Sequence, residues 1–557
     1  MRKKFWVVIG AIMALMLTAC GGSGEVQTLT YDQAAEQVRA YVSEGKVQYH
    51  DELSGPDDSW IGTNTTSIDL PPIEKYPLSV QGNGEMNIEV FSSTEKSGIG
   101  SRRWLDTVAQ DFNNSGATID GKSVTISTRP IPSGLAMDYI RTKSYIPDAY
   151  TPSNEMWGQM IDATGVNIQM IEPRLAGNVA GILLKQDLYD SFVAKYGEVT
   201  AENIVKASLA GDLKLGHTDP NLSSTGLNLV MQELSAIDPS NPVSATAAEQ
   251  FRLFQNTVPV VSPTTEQLAA VAAKGRADAV INEAQAYPNE PTLASGWVFT
   301  PVGVRHDNPL YALNNLSADK VAALKLFADY AKSSPNQELA GTFGFNQYND
   351  YAGVSGDKAN GSLLLRALDL WKQEKDGGKP VITVIVVDKS GSMNNNDRLD
   401  KIKSALNAGA NYISPSSYVG LLSYSDAGNI TVNLPIAPFD GNQHSLFVGA
   451  VNNLSASGNT ATYSAMYAAL DLMLKQKASI PDAELRLVVM TDGDRNTGLD
   501  LNDALSVTRG LDIATYAVGY DADVKIMEQL AGTEGYLVNA GTEDVAFRIK
   551  NMFRAEL

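Results

Sequence analysis

The chain has 557 residues, enough for two to four domains with substantial cores, which excludes a peptide hormone or a lone staple-dependent module. Hydrophobic residues make up 43% and charged residues 19%, a balance that excludes both a disordered chain and a polytopic membrane bundle. A formal charge of −20 and a pI near 4.7 repel phosphate backbones; without a basic patch they exclude nucleic acid and favour cations or proteins as partners.

The chain opens with Arg2, Lys3 and Lys4, an apolar run from Phe5 to Leu17 too short for an ordinary spanning helix, and small residues leading to Cys20. This is the pattern of an export signal. Leu17-Thr18-Ala19-Cys20 resembles the lipobox of bacterial lipoproteins, which implies removal of residues 1–19 and a diacylglyceryl group on Cys20. An ordinary signal peptide with an incidental cysteine is the alternative. Either way Cys20 is the single cysteine, so no disulfide framework exists. The expected location is the bacterial cell envelope, lipid-anchored on the extracytoplasmic side of a membrane.

Residues 20–83 are expected to form the lipid anchor and a stalk: the Gly21-Gly22-Ser23-Gly24 tether, a helical pattern from Tyr31 to Val42, and a polar stretch ending at Pro71-Pro72. Trp60 suggests that part of this stalk docks on the next domain.

From about Met86 onward apolar strands alternate with amphipathic helices, the behaviour of α/β units. A strand over Ile88 to Phe91 runs into Ser92, Ser93 and Thr94, and Leu105, Val108 and Phe112 mark the following helix face. Two further polar turns contain Ser153 and Asn154, and Ser223, Ser224, Thr225 and Gly226; the second precedes a helical pattern from Leu227 to Leu234. Turns of this kind offer hydroxyls and backbone amides to an oxygen-bearing ligand, and helix starts suit an anion. The same residues also serve as ordinary helix caps. Arg129, Arg141 or Lys96 could supply a local cation, but solvated surface charge is the stronger reading for each. With Glu283-Ala284-Gln285, Thr300-Pro301-Val302 and Gln337 before Phe343-Gly344-Phe345, residues 84–350 resemble the extracellular solute-binding proteins, the broad two-lobed type that includes phosphate and molybdate carriers. The resemblance implies a small solute held between lobes by Ser92–Thr94, Ser153–Asn154 and Ser223–Gly226. Residues 351–379 read as a linker with a helical segment.

Val381 to Val387 is a continuous β-branched run, as for a strand buried on both faces of a parallel sheet, and it ends in Asp388-Lys389-Ser390-Gly391-Ser392. Ligands of open α/β sheets bind beyond such strand ends. A helix face with Leu399, Ile402, Leu406 and Ile413 follows, then strands over Tyr418–Ser423, Leu485–Met490 (ending in Thr491-Asp492-Gly493) and Ile513–Val518. Residues 380–557 resemble the von Willebrand factor A (VWA) family, whose metal-ion-dependent adhesion site pairs a D-x-S-x-S motif with a distant threonine and aspartate. The matching positions are Asp388, Ser390, Ser392, Thr460 and Asp492. This donor set supplies hard oxygens with few charges, which suits Mg²⁺ or another divalent cation with an open position. The resemblance implies that the hydroxyls of Ser390, Ser392 and Thr460 meet the metal directly or through water, that Asp388 and Asp492 act mainly through water, and that a carboxylate of a protein partner takes the open position. The plain alternative is a capping turn between strand and helix.

The expected fold class is thus α/β: a two-lobed periplasmic-binding-protein-like domain followed by a Rossmann-like doubly wound VWA domain. The four histidines show no zinc spacing, and neither a nucleophile elbow nor a phosphate loop occurs. The expectation is a non-enzymatic binding protein without organic cofactor. Alternatives are the solute receptor of an ABC importer with an accessory VWA domain, and a surface adhesin or scaffold with a vestigial cleft.

Overall fold

The computed structural model describes residues 26–61, 70–98, 100, 103–273, 275–354, 360–493, 495–520, 524–531, 537–540 and 545–556. The export signal, Cys20 and the glycine tether lie outside the described residues. Among the described residues three sheets organise the fold.

Two of these sheets belong to the middle of the sequence. In the first, Met86–Ser92 is central, with Lys122–Pro130 parallel on one side and Ala149–Thr151 parallel on the other; Leu310–Leu313 and Ile168–Glu172 extend it in antiparallel fashion. The second is built on Val179–Lys185 and Ala279–Glu283, flanked by Trp297–Arg305, Leu215–Thr218 and Val261–Ser262. The chain leaves the first sheet, builds the second and returns to the first at Leu310, so the two lobes share two crossings. Strand Met86–Ser92 contains the run expected from sequence, and Leu105, Val108 and Phe112 are buried on helix Trp104–Asn114.

The third sheet has seven strands in the order His50–Asp51, Ile430–Pro438, Tyr418–Tyr424, Val381–Asp388, Glu484–Thr491, Ala514–Tyr520, Leu537–Ala540. Every pairing is parallel except that between Tyr418–Tyr424 and Ile430–Pro438. All eight residues of Val381–Asp388 are buried, as its unbroken β-branched pattern requires of a central strand covered on both faces. Helix Arg398–Ala410 buries Leu399, Ile402 and Leu406; Ile413 is also buried but lies beyond the helix end.

Two domain expectations are corrected by the packing. Residues 26–61 are not a stalk. Helix Tyr31–Ser43 inserts Ala34, Ala35 and Val38 into the core that holds Ile382, Val384 and Val386. Tyr41 stacks on Tyr467 at 5.1 Å, Tyr49 donates to Asp471 at 2.6 Å, and His50–Asp51 forms the edge strand. Trp60 docks, but on the C-terminal domain: its carbonyl accepts from Asn411 at 3.1 Å. The middle domain is therefore inserted within the C-terminal one. Residues 351–379, secondly, are more than a linker, because helix Gly361–Glu374 buries Leu364, Ala367 and Trp371 in the core of the solute-binding-like domain. Among the described residues no helix is long and apolar enough to cross a membrane.

Gly449 gives this arrangement a direct test. A Cβ there would lie 1.9 Å from the carbonyl oxygen of Gly55, where the N-terminal segment lies against helix Gly441–Asn452. Gly449→Ala is expected to cost about 1–3 kcal/mol in denaturant unfolding and to speed proteolysis within residues 44–61, as overpacking forces the segment off the helix. Unchanged proteolysis would mean the contact is dispensable.

Candidate metal site and cleft

The C-terminal site forms where the central strand ends. Asp388 is the last strand residue and fully buried; its Oδ1 accepts from the Ser390 backbone N–H and its Oδ2 from the Thr491 hydroxyl, both at 2.8 Å. Burial pushes the Asp388 carboxyl above its ordinary value despite the Ser390 and Thr491 hydrogen bonds, and the nearby Asp492 charge adds to the rise. Ser390 Oγ lies 3.0 Å from Ser392 Oγ, and Ser392 Oγ donates to Asp492 Oδ1 at 3.0 Å. Thr460 arrives on a different loop, stitched to the first: Gly391 N–H donates to Gly458 O at 3.0 Å, and Ser457 N–H to Lys389 O at 2.7 Å. Asn496 then fixes Thr460 by accepting its N–H at 2.8 Å and donating back to its carbonyl at 3.0 Å.

The four residues Asp388, Ser390, Ser392 and Asp492 thus share one hydrogen-bonded cluster, with the Thr460 loop tied beside it. Neighbouring ligands on an octahedral Mg²⁺, at about 2.1 Å from the ion, are roughly 3 Å apart. The Ser390–Ser392 and Ser392–Asp492 separations of 3.0 Å match that spacing, so the donors fit such an ion.

One participant was not foreseen. Asn396 and Asp397 take left-handed φ values of 54° and 56°, a conformation their short polar side chains tolerate, and turn the loop into helix Arg398–Ala410. Arg398 then places Nη1 2.7 Å from Asp492 Oδ2. A resident cation on one carboxylate of the site competes with a metal charge. Arg398→Ala is expected to tighten Mg²⁺ binding roughly tenfold in calorimetric titration, a fraction of the Coulomb energy at this range. Equal or weaker affinity would show that the guanidinium chiefly positions Asp492.

In the middle domain a cavity of about 340 Å³ opens between the lobes. Of the residues expected from sequence, Thr94, Ser153, Ser223, Ser224 and Thr225 line it. Ser92, Ser93, Asn154 and Gly226 stand behind the wall instead. Ser92 accepts from Ser97 at 2.7 Å, Ser93 is bonded within the Glu95–Lys96 pair, and Asn154 contacts His306 at 3.2 Å and caps Met156. Gly226 permits a close approach, since a Cβ would lie 2.1 Å from Thr218 O.

Arg129, Arg141 and Lys96 are not among the lining groups. Arg129 pairs with Glu89 at 2.7 Å, and Arg141 with Asp138 at 2.8 Å. Lys96 is fully buried with Nζ 3.2 Å from Glu95 Oε1; burial pushes its amine down, opposed by the Glu95 and Glu283 charges. Glu95 in turn is raised by burial, but Lys96 and the Ser93 hydrogen bond outweigh this and hold it below the usual carboxylate value. Sequence reading gave no ligand role to the lining carboxylates, Glu95, Glu283 and Glu266. Glu283 accepts from His306 Nδ1 at 2.7 Å and Asn178 Nδ2 at 3.0 Å.

Comparison with known proteins agrees with both halves. Residues 97–346 match the bacterial extracellular solute-binding protein family model, and residues 383–554 match that of the von Willebrand factor type A domain. Among solved structures, the chain is similar to a von Willebrand factor type A protein from Catenulispora acidiphila, at 18% identity and TM-score 0.29, covering 32% of this chain and 42% of that one. It is also similar to a periplasmic thiamin binding protein (11% identity, TM-score 0.37) and to iron-bound HitA from Pseudomonas aeruginosa (12%, 0.37); each comparison covers 53% of this chain and 99% of the other. No curated protein matches the chain.

Proposed function

For a chain that joins an extracellular solute-binding domain to a VWA domain, we propose a non-enzymatic binding protein of the cell envelope. Anchored through a lipid on Cys20, it recognises a small solute in its cleft and docks a protein partner through a divalent metal at Asp388, Ser390, Ser392, Thr460 and Asp492. The observation that carries this reading is the convergence of hydroxyl and carboxylate oxygens at octahedral spacing at the carboxyl end of the central strand.

The chain's own residues would divide the work. Asp388 and the Thr491 hydroxyl anchor the loop, Ser390 and Ser392 present adjoining hydroxyl oxygens, and Asn496 holds Thr460 in place. A bound Mg²⁺ supplies an electrophilic position for a carboxylate oxygen. The cluster is made of hydroxyls and carboxylates, groups suited to holding a cation rather than to moving protons, and Arg398 occupies one oxygen of Asp492.

The test is capture from an envelope extract with the chain lacking its first 20 residues as bait, in Mg²⁺ and in EDTA. A specific protein retained only in Mg²⁺ is expected. Retention that ignores the metal would remove the docking role and leave the cleft as the functional part.

A further inference from the structure

The final helix, Val545–Glu556, belongs to both domains. Ile549, Met552 and Phe553 are buried in the C-terminal core, while Phe547 is buried in the core of the solute-binding domain. Two ion pairs fasten the seam: Arg554 Nη2 lies 3.5 Å from Asp219 Oδ2, and Lys550 Nζ lies 3.9 Å from Asp138 Oδ2. None of these four side chains is more than 10% exposed. Charges withdrawn from water to this degree cost several kcal/mol each unless paired, so the helix and the cleft wall are matched surfaces. Asp138 reflects it: burial raises its carboxyl, but Lys550, Arg141 and Arg554 together hold it below the usual range.

The consequence concerns the cavity. Phe547, Arg548 and Asn551 of this helix line it together with residues of both lobes. Arg548 is the one basic side chain among the described lining residues, whereas Glu95 presents a carboxylate from one lobe and Glu283 and Glu266 present carboxylates from the other. The starts of helices Ser133–Thr142 and Ser224–Ile237 also border the space, adding a partial positive field. A simple oxyanion would meet those carboxylates, and a simple amine would make no use of Arg548. A molecule with one charge of each sign uses both, and a 340 Å³ cavity is within the range of small-ligand sites.

We propose that the cleft takes a small zwitterion of the amino-acid type, its ammonium facing Glu95 and Glu283 and its carboxylate facing Arg548, so that the site is complete only with the final helix of the second domain. This rests on reading the cleft as a solute site. The bound molecule would then tie the two domains together, since each supplies one pole of its recognition.

Thermal denaturation and calorimetry of the intact chain test this, using the twenty amino acids as probes with propylamine, propionate and sulfate as single-charge controls. At least one amino acid is expected to raise Tm by a few degrees, through preferential binding to the folded state, while the controls do not. Arg548→Ala and Glu283→Gln are each expected to weaken that amino acid tenfold or more, with Arg548→Lys restoring part of the loss. Stabilisation by sulfate, propionate or propylamine but by no amino acid would overturn the zwitterion while leaving a solute-binding cleft. Amino-acid binding untouched by Arg548→Ala would overturn the two-domain site. Silence from every probe would overturn this proposal together with the solute reading on which it rests.

Discussion

Asp388→Ala is expected to abolish Mg²⁺ binding at the C-terminal site, lowering affinity at least a hundredfold in calorimetric titration and removing any Mg²⁺-dependent rise in Tm. Asp388 contributes in two ways. Its Oδ1 holds the Ser390 amide and its Oδ2 the Thr491 hydroxyl, so its carboxylate fixes the loop that carries Ser390 and Ser392. It also supplies one of the two negative charges in the donor set, the other being Asp492. Alanine removes both contributions; asparagine removes the charge and the Oδ2 acceptor of the Thr491 hydroxyl, while its amide oxygen still accepts from Ser390. Asp388→Asn should therefore keep the loop but bind Mg²⁺ at least tenfold more weakly than the parent. In EDTA the asparagine variant is expected to match or exceed the parent's stability by about 1 kcal/mol, since it deletes a buried charge that lies near Asp492. Parental Mg²⁺ affinity in both variants would place the metal elsewhere or nowhere. A loss in alanine with none in asparagine would assign Asp388 to loop geometry alone.

The parts of this molecule that sequence makes legible are those whose signal is local. Val381 to Val387 announces a doubly covered strand because seven consecutive β-branched residues, six of them apolar, suit no other environment as well, and the polar residues at its end are read from the same few positions. Ser390 and Ser392 follow from the strand end, and Asp492 from the next strand by the same logic. The illegible parts are those made by contacts between distant segments. His50–Asp51 is only two residues long, with no alternation to read, yet its pairing with Thr431 and Val432 makes the N-terminal segment part of the C-terminal domain. Helix Gly361–Glu374 has a visible apolar face, but nothing local says that the face meets the preceding domain. Arg398 looks like an ordinary first-turn residue until the left-handed pair before it turns it onto Asp492. In the cleft, hydroxyl-rich turns signal both helix caps and ligand contacts, so Thr94 and Ser153 cannot be separated in advance from Ser93 and Asn154. Glu283 is marked only as part of the Glu283-Ala284-Gln285 motif and Glu95 carries no mark of its own, since their importance comes from facing one cavity across two lobes.

The second large effect is expected at a residue that lines neither site. Glu233, on helix Ser224–Ile237, is fully buried and neither carboxyl oxygen has a hydrogen-bond partner. Burial alone pushes its carboxyl well above the usual value near 4.5, so the folded protein keeps it protonated where the unfolded chain ionises it. The sign follows from linkage: above the unfolded value the unfolded state binds fewer protons than the folded one, so stability falls as pH rises toward the raised value. Each pH unit within that window costs about 1.4 kcal/mol. Glu233→Gln removes the titration while keeping the shape, and its advantage over the parent in denaturant unfolding should widen by about that amount per unit as pH is raised from 5. Because this helix starts at the cleft, with Ser224 and Thr225 lining the cavity, the pH-dependent loss should appear first as faster proteolysis of the solute-binding domain. A gap between parent and Glu233→Gln that does not change with pH would mean the carboxyl ionises within the fold, and water or a rearranged neighbour would then have to reach it.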